Sequence, residues 1–412
     1  MALIVQKYGG ASLATIEKVK WVASHIAKTR GEGHDVVAVV SAMAGETDRL
    51  YDLSLSVMNP PDERELDVIT SSGEQVASGL IAMAIKSLGC DAVSFQGHQV
   101  RILTSSAYSR AKIVDIDDRK IRDALRGGKV VVVAGFQGID CDGSITTLGR
   151  GGSDLTAVAL ASVLGADECE LYKDGIEGIY TADPVVVDSA MKLSKISYEE
   201  MLELSSLGSK VLQARAVEFG MKYGVPIHVR PTGSPNVEGT WVVKEDEAMT
   251  EPMERILVSG VTCDKNQSKI TLMRVPDKPG IAEKVFEPIG AENINVDMIV
   301  QNVSLEGYTD LTFTVPRTDF KKAIRITGGV AEELGAGGVS SDDKIAKISL
   351  VGVGMKTHSG VASKTFSVLA SEGINIVMIS TSEIKISCVV DEKYAELAVR
   401  SLHSAFNLGE KG

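Results

Sequence analysis

The chain has few cysteines, no excess of positive charge and no long apolar run, and each shortage removes a class of protein. Cys90, Cys141, Cys169, Cys263 and Cys388 are odd in number and widely scattered, with no pair at metal-ligand or redox spacing. They read as reduced thiols in a cytoplasmic protein. A formal net charge of −12 leaves the chain as a whole without the electropositive footprint that a nucleic-acid backbone or an anionic membrane selects. No apolar run approaches the roughly 20 residues of a membrane helix, and Met1-Ala2-Leu3-Ile4-Val5-Gln6-Lys7 lacks the layout of a signal peptide. Low-complexity blocks are missing too, and 44% apolar with 24% charged residues fits a globular chain with a full core. Two nucleotide motifs are also absent. Gly-x-x-x-x-Gly-Lys-Ser/Thr occurs nowhere and no Gly-x-Gly-x-x-Gly follows the first strand, so P-loop and dinucleotide-binding readings lose support.

What the sequence does have is length and alternation. At 412 residues it exceeds what one core usually supports, which predicts two to three domains. The aliphatic run Leu3 to Lys7, two glycines, and then Ile16, Val19, Ala23 and Ile26 at helical spacing read as strand, turn and helix. Val36 to Val40 and Val130 to Ala134 have the unbroken apolar character of strands buried on both faces of a parallel sheet. A helix is predicted over 73–88, with Val76, Leu80, Met83 and Ala84 on its apolar face, followed by a strand over 92–95. Further helices are read at 154–164 and 211–223, and further strands at 168–172 and 227–230. This alternation predicts an α/β/α sandwich around a mainly parallel sheet over residues 1–230.

Residues 231–260 read as a linker, marked by Pro231, Gly233, Pro235 and Gly239 and by the acidic Glu245, Asp246 and Glu247. Beyond it lies an internal repeat. Lys269-Ile270-Thr271-Leu272 recurs 78 residues later as Lys347-Ile348-Ser349-Leu350, and Asn293-Ile294-Asn295-Val296 recurs 80 residues later as Gly373-Ile374-Asn375-Ile376. Two copies of an α+β, ferredoxin-like βαββαβ unit are predicted, at 261–340 and 341–412.

Ligands of parallel α/β sheets bind at the carboxyl ends of strands. In Lys7-Tyr8-Gly9-Gly10-Ala11-Ser12 the glycines let backbone N–H groups approach an anion, the following helix N-terminus adds positive potential, and Lys7 supplies a mobile charge. The plain alternative is an ordinary glycine turn. Thr146-Thr147-Leu148-Gly149-Arg150-Gly151-Gly152-Ser153-Asp154 sets an arginine, whose planar fork suits a carboxylate, beside two glycines and an acid at a helix start. Here the alternative is that Asp154 only caps the helix.

Together with Ser72-Gly73-Glu74 and Tyr180-Thr181-Ala182-Asp183-Pro184, these segments resemble the amino acid kinase family, and within it the aspartate kinases. Residues 147–154 match the pattern Thr-Leu-Gly-Arg-Gly-Gly-Ser-Asp throughout, residues 7–12 match Lys-Phe/Tyr-Gly-Gly-Thr/Ser-Ser except at Ala11, and the repeat is similar to paired ACT domains. The resemblance implies transfer of the γ-phosphoryl group of ATP to the β-carboxylate of L-aspartate, giving 4-phospho-L-aspartate on the way to lysine, threonine and methionine. Mg²⁺ would ride on the phosphate oxygens, and no protein ligand for it is assigned. A carboxylate is already nucleophilic at neutral pH, so no general base is required.

The same resemblance implies that Lys7 stabilises the transferred group and that Asp154 orients the catalytic lysine and the phosphates. Ser41 and Thr47 would hold the reacting carboxylate, Glu74 the α-ammonium and Arg150 the α-carboxylate, with Gly151, Gly152 and Ser153 also on the substrate. ATP would lie against Lys7, Tyr8, Gly9, Gly10, Lys173, Asp174, Tyr180, Asp183, Pro184 and Lys210. A helix-capping role for Glu74 and ordinary loop hydroxyls at Ser41 and Thr47 stay open as alternatives. Three departures stand out: Lys173 to Gly178 is one residue longer than the usual run, Val185 replaces an arginine, and Ala11 lacks a hydroxyl, which implies altered affinity with retained activity.

For the repeat, the resemblance implies binding of lysine and/or threonine by Asp277, Gly280, Asn295, Gln301 and Asn302 and, from the second copy, Asn375, Ser380 and Ser382. It also implies a homo-oligomer, or an assembly with a shorter ACT-only subunit begun at an internal start near Met249 or Met253. Two competing readings are a sister kinase acting on glutamate, acetylglutamate, carbamate or UMP, and an amino-acid sensor that has kept the fold and lost turnover.

Overall fold

The computed structural model describes residues 1–207, 211–234, 237–248, 257–302, 307–353, 355 and 360–409. The chain divides into two compact units: Met1–Tyr180, Lys192–Ser206 and Lys210–Met253 form the first, and Thr181–Met191, Leu207–Ser209 and Glu254–Gly412 the second.

In chain order the first unit begins β1 (Leu3–Tyr8), α1 (Ile16–Gly31), β2 (Asp35–Val40), α2 (Glu46–Val57), α3 (Glu63–Thr70), α4 (Ser72–Ser87) and β3 (Ala92–Phe95). It continues with β4 (Ile102–Thr104), β5 (Ile113–Ile116), α5 (Arg119–Arg126), β6 (Val130–Ala134), β7 (Gln137–Ile139), β8 (Ile145–Thr147), α6 (Gly152–Leu164) and β9 (Glu168–Lys173). It closes with β10 (Lys195–Ser197), α7 (Tyr198–Ser206), α8 (Ala214–Tyr223), β11 (Ile227–Pro231), β12 (Thr240–Val243) and α9 (Glu245–Ala248). Eight strands form one sheet in the order β10-β12-β11-β9-β1-β2-β6-β3. Its neighbours are parallel except at β11 and β12. The aliphatic strands β2 and β6, sixth and seventh in that order, are buried on both faces, as their unbroken pattern predicts. Side chains of α1 and α4 cover one face, and α6, whose residues from Gly152 to Ala161 are all buried, packs on the other.

Two expectations change. Val76 and Met83 are 58% and 70% exposed, and α4 instead buries Gly73, Glu74, Ala77, Ser78, Ile81, Ala82 and Ile85. The helix carries two apolar stripes, and the one with the smaller residues packs because the backbone approaches closely there: a Cβ on Gly73 would lie 2.7 Å from the Ala42 Cβ. The stretch read as a linker contributes β12, which enters the main sheet between β10 and β11. α3 and α4 together, Glu63–Ser87, are long and apolar enough by composition to cross a membrane. Half of that window is buried within the fold, and Asp67 and Glu74 lie inward on it.

The second unit runs β13 (Leu257–Pro276), α10 (Ile281–Ala291), β14 (Ile299–Gln301), β15 (Tyr308–Pro316), α11 (Phe320–Leu334), β16 (Gly338–Val353), α12 (Gly360–Ser371), β17 (Met378–Thr381), β18 (Lys385–Asp391) and α13 (Ala395–Ala405). One antiparallel sheet results, in the order β14-β15-β13-β16-β18-β17. The two copies are interlocked through its central pair. Ile270, Leu272 and Val275 of β13 pack with Val285 and Ile289 of α10 and Ala323 and Val330 of α11. Val258 and Val261, earlier on the same strand, pack with Leu369 of α12 and Val399 and Leu402 of α13. The second copy thus takes a strand from residues that precede the first.

Candidate functional site

β1 and β9 lie side by side, with Lys7 opposite Leu171. Side chains alternate along a strand, so Lys7 and Lys173, two residues past Leu171, emerge on one face near the carboxyl ends. Asp154, in the first turn of α6, meets both. Its Oδ1 is 2.6 Å from Lys7 Nζ, an ion pair, and its Oδ2 accepts a hydrogen bond of 2.7 Å from Lys173 Nζ. Burial alone would raise the Asp154 carboxyl, but Lys173 and Lys7 override it and hold the group well below the usual carboxylate range. Burial pushes Lys173 down, against the pull of Asp154. Two cations share one anion, which leaves a positive charge at the strand ends to attract a further anion.

The backbone beside Lys7 departs from expectation. A 3₁₀ turn, Gly10–Leu13, follows the strand, and α1 begins only at Ile16, with Thr15 accepting from the Lys18 N–H. The helix N-terminus at this site is that of α6, entered through Gly151 in the left-handed region. A Cβ on Gly10 would sit 2.8 Å from the Ala42 carbonyl oxygen, so only glycine lets these two loops touch. Ser12 is buried with its Oγ 2.7 Å from Thr232 Oγ1, while Ala11 is exposed and its carbonyl accepts from Lys18 Nζ. Lys18 also donates to Asp174 (2.8 Å), a half-exposed pair joining the loop after β9 to the glycine loop.

Glu74 lies on the other flank. It is 3% exposed, and its Oε1 accepts 3.0 Å from the Ala42 N–H in the loop after β2. Among the described residues its buried Oε2 has no partner. Burial pushes this carboxyl up to about 7, against the Ala42 hydrogen bond and the nearby charge of Lys7. Ser41, whose N–H donates to the Tyr8 carbonyl at 3.1 Å, and Thr47 in the first turn of α2 are half-buried on the same connection. Arg150 and Gly151 are exposed on the loop into α6, and Gly152 and Ser153 are buried in its first turn. That loop is held by Gln213, which donates to the Arg150 carbonyl at 2.9 Å, and by Arg215, which donates to the Leu148 carbonyl at 2.7 Å.

Tyr180 is half-buried with its hydroxyl toward Glu177, and Asp183, Pro184 and Val185 are exposed and belong to the second unit. There, the neighbouring Thr181 is anchored, its Oγ1 lying 2.9 Å from His403 Nε2. Lys210, Met249 and Met253 lie outside the described residues. Within the second unit Asp277 and Gly280 occupy the turn into α10, Asn295 precedes β14, and Gln301 and Asn302 close it. Asn375 precedes β17, while Ser380 and Ser382 lie on it and just after it. β14 and β17 are opposite edges of one sheet, about 24 Å apart at five strand spacings. A single chain therefore does not bring the two sets together.

Sequence reasoning missed Asp67, Gln213 and Arg215, none of which stands in a recognisable motif. It also missed a polar layer on the opposite sheet face. Among the described residues Glu168, Glu170 and His228 are the one group of ligating side chains within 4.8 Å of each other. Gln6, Tyr172 and Arg230 already bind Glu170, so this group is an internal network rather than a metal cage.

Comparison with known proteins fits this geometry. The family model described as "Amino acid kinase family" matches residues 2–231, and that of the ACT domain matches 273–327 and 348–406. The chain is 54% identical over 408 residues to an aspartate kinase of Stutzerimonas stutzeri, covering 99% of this chain and 98% of that one. It is 55% identical over 408 residues to an aspartokinase of Pseudomonas aeruginosa, with the same coverage. Escherichia coli aspartokinase III in complex with aspartate and ADP superposes with a TM-score of 0.81 at 25% identity, over 98% of this chain and 100% of that one. Its complex with lysine and aspartate gives a TM-score of 0.76 at 25% identity, over 99% and 100%.

Proposed function

Because the chain belongs to the amino acid kinase family, and within it to the aspartate kinases, we propose that it transfers the γ-phosphoryl group of ATP to the β-carboxylate of L-aspartate. The observation that carries this reading is Asp154 bracketed by Lys7 and Lys173, with the unpartnered Glu74 Oε2 on the next loop. The lysine side receives phosphates and the glutamate side receives the α-ammonium.

ATP would bind as its magnesium complex. Both Asp154 oxygens are engaged by lysines, which suits Mg²⁺ held through phosphate oxygens, where it neutralises charge. The β-carboxylate, steered by Ser41 and Thr47, attacks the γ-phosphorus while ADP departs. Negative charge on the transferred group's oxygens is met by Lys7 and Lys173, already oriented by Asp154, so little reorganisation is needed. Asp154 stays ionised and accepts no proton. Arg150 pairs with the α-carboxylate and selects an α-amino acid.

The product is an acyl phosphate, so hydroxylamine will trap it as the hydroxamate. We expect product that requires ATP, Mg²⁺ and aspartate and is lost in Lys7→Ala. Absence of hydroxamate with aspartate would sink the reading.

Regulation follows from the two sheet edges. A second copy of the chain, apposing its β17 edge to β14, would complete an effector site for lysine and/or threonine in a homo-oligomer. An assembly with a shorter subunit begun near Met249 or Met253 is the variant of this reading. Unchanged activity and melting temperature at saturating lysine plus threonine would refute it. Five unpaired thiols support a cytoplasmic setting.

A further inference from the structure

We propose that Asp67 is a positioning residue that fixes Arg150 relative to Glu74 and so sets affinity for the amino acid. This rests on the assignment of Glu74 and Arg150 to the two ends of aspartate.

Asp67 is 1% exposed on α3, and no lysine or arginine pairs with it among the described residues. Its Oδ1 accepts from Thr147 Oγ1 at 2.7 Å, Ser109 N–H at 3.1 Å and Ser109 Oγ at 3.2 Å. Its Oδ2 accepts from Thr147 N–H at 2.8 Å and Ser109 N–H at 2.9 Å. A buried carboxylate held only by neutral donors persists where those donors are fixed in place. Ser109 is held at φ 63, in the left-handed region, and its carbonyl would lie 3.0 Å from a Cβ on Gly149, whose own φ is 80. Ala111 N–H donates to the Thr147 carbonyl at 2.9 Å. Asp67 thus staples the β4–β5 loop to the end of β8, immediately before Gly149 and Arg150.

The same helical stretch carries Glu74 two turns further on, with Ser71 between α3 and α4. One carboxylate of this stretch holds the loop of Arg150, and the other faces the connection after β2. The distance between the groups that grip the two ends of the substrate is therefore set through Asp67. The nucleotide side, held by Lys7, Lys173 and Asp154, contains none of its partners.

Steady-state kinetics of Asp67→Asn, Thr147→Val and Thr147→Ser test this. The first two should raise the KM for aspartate about tenfold or more, the scale of a lost hydrogen bond to a charged group. The kcat and the KM for ATP should stay within about twofold, and Thr147→Ser, which keeps the donor, should return the aspartate KM to near wild type. If Asp67→Asn does not fold, the Thr147 pair decides alone. A fall in kcat with unchanged aspartate KM, or an equal rise in the KM for ATP, overturns the proposal. Arg150→Ala separates the failures. An aspartate KM insensitive to Arg150→Ala removes the underlying assignment, whereas sensitivity there with none in the Asp67 and Thr147 variants removes only the positioning role.

Discussion

In Glu74→Gln the buried side chain keeps its size and an oxygen for the Ala42 N–H, and loses only its ability to carry charge. The carboxyl sits at about 7 in the folded protein against an ordinary 4.5. Between those values the folded chain holds a proton that the unfolded chain has released, so this group's contribution to stability falls as pH rises through the window. At about 1.4 kcal/mol for each pH unit, the cost above pH 7 is on the order of 3 kcal/mol, and at pH 5.5 about half of that. Glutamine is free of it. We predict that the stability advantage of Glu74→Gln is about 2 kcal/mol larger at pH 8 than at pH 5.5. Urea denaturation followed by tryptophan fluorescence measures it, because Trp21 and Trp241 both belong to the first unit. The same variant should raise the aspartate KM at least roughly tenfold at pH 8, and wild-type kcat/KM for aspartate should fall as pH drops below about 7. An advantage equal at both pH values would refute the reasoning.

Asp154→Asn leaves the buried Lys7 and the partly buried Lys173 together with no counter-charge, which should cost about 3–5 kcal/mol and reduce kcat by roughly 100-fold or more. Added ATP should recover part of the lost melting temperature, and a variant melting like wild type would contradict the role assigned to the pair. Gly10→Ala pushes a methyl group against the Ala42 carbonyl, so we expect a loss of about 1–3 kcal/mol and a raised KM for ATP. Thermal denaturation and initial-rate kinetics check both.

The main sheet was legible because Val36 to Val40 and Val130 to Ala134 leave no polar side for a surface strand. The face of α4 was not. Hydrophobicity favoured Val76 and Met83, while the deciding factor was how closely Gly73 lets the helix approach Ala42, a tertiary fact. Lys7 and Asp154 could be named from motif resemblance, but only the structure shows Asp154 divided between two lysines, one at the end of β9 far along the chain. Asp67 was illegible because its meaning lies in Ser109 and Thr147, which folding brings to it across three separate segments. The repeat was visible as similarity, yet its boundary was not, since a strand lent from one copy to the other looks like neither a linker nor an insertion.

That loan affects how the regulatory half can be made and cut. Leu257 to Asp264 pair with Lys347 to Val353, across the entire first copy. The strands of the first copy pair with one another within residues 267–342, but the second copy cannot complete its sheet from its own contiguous residues, so it closes only after the chain has emerged as far as Val353. Such long-range closure slows folding. A fragment begun at residue 261, where the repeat in the sequence starts, would lack Leu257, Val258 and Gly260 from the strand that seals the second copy, whereas one begun before Leu257 would carry every strand of both.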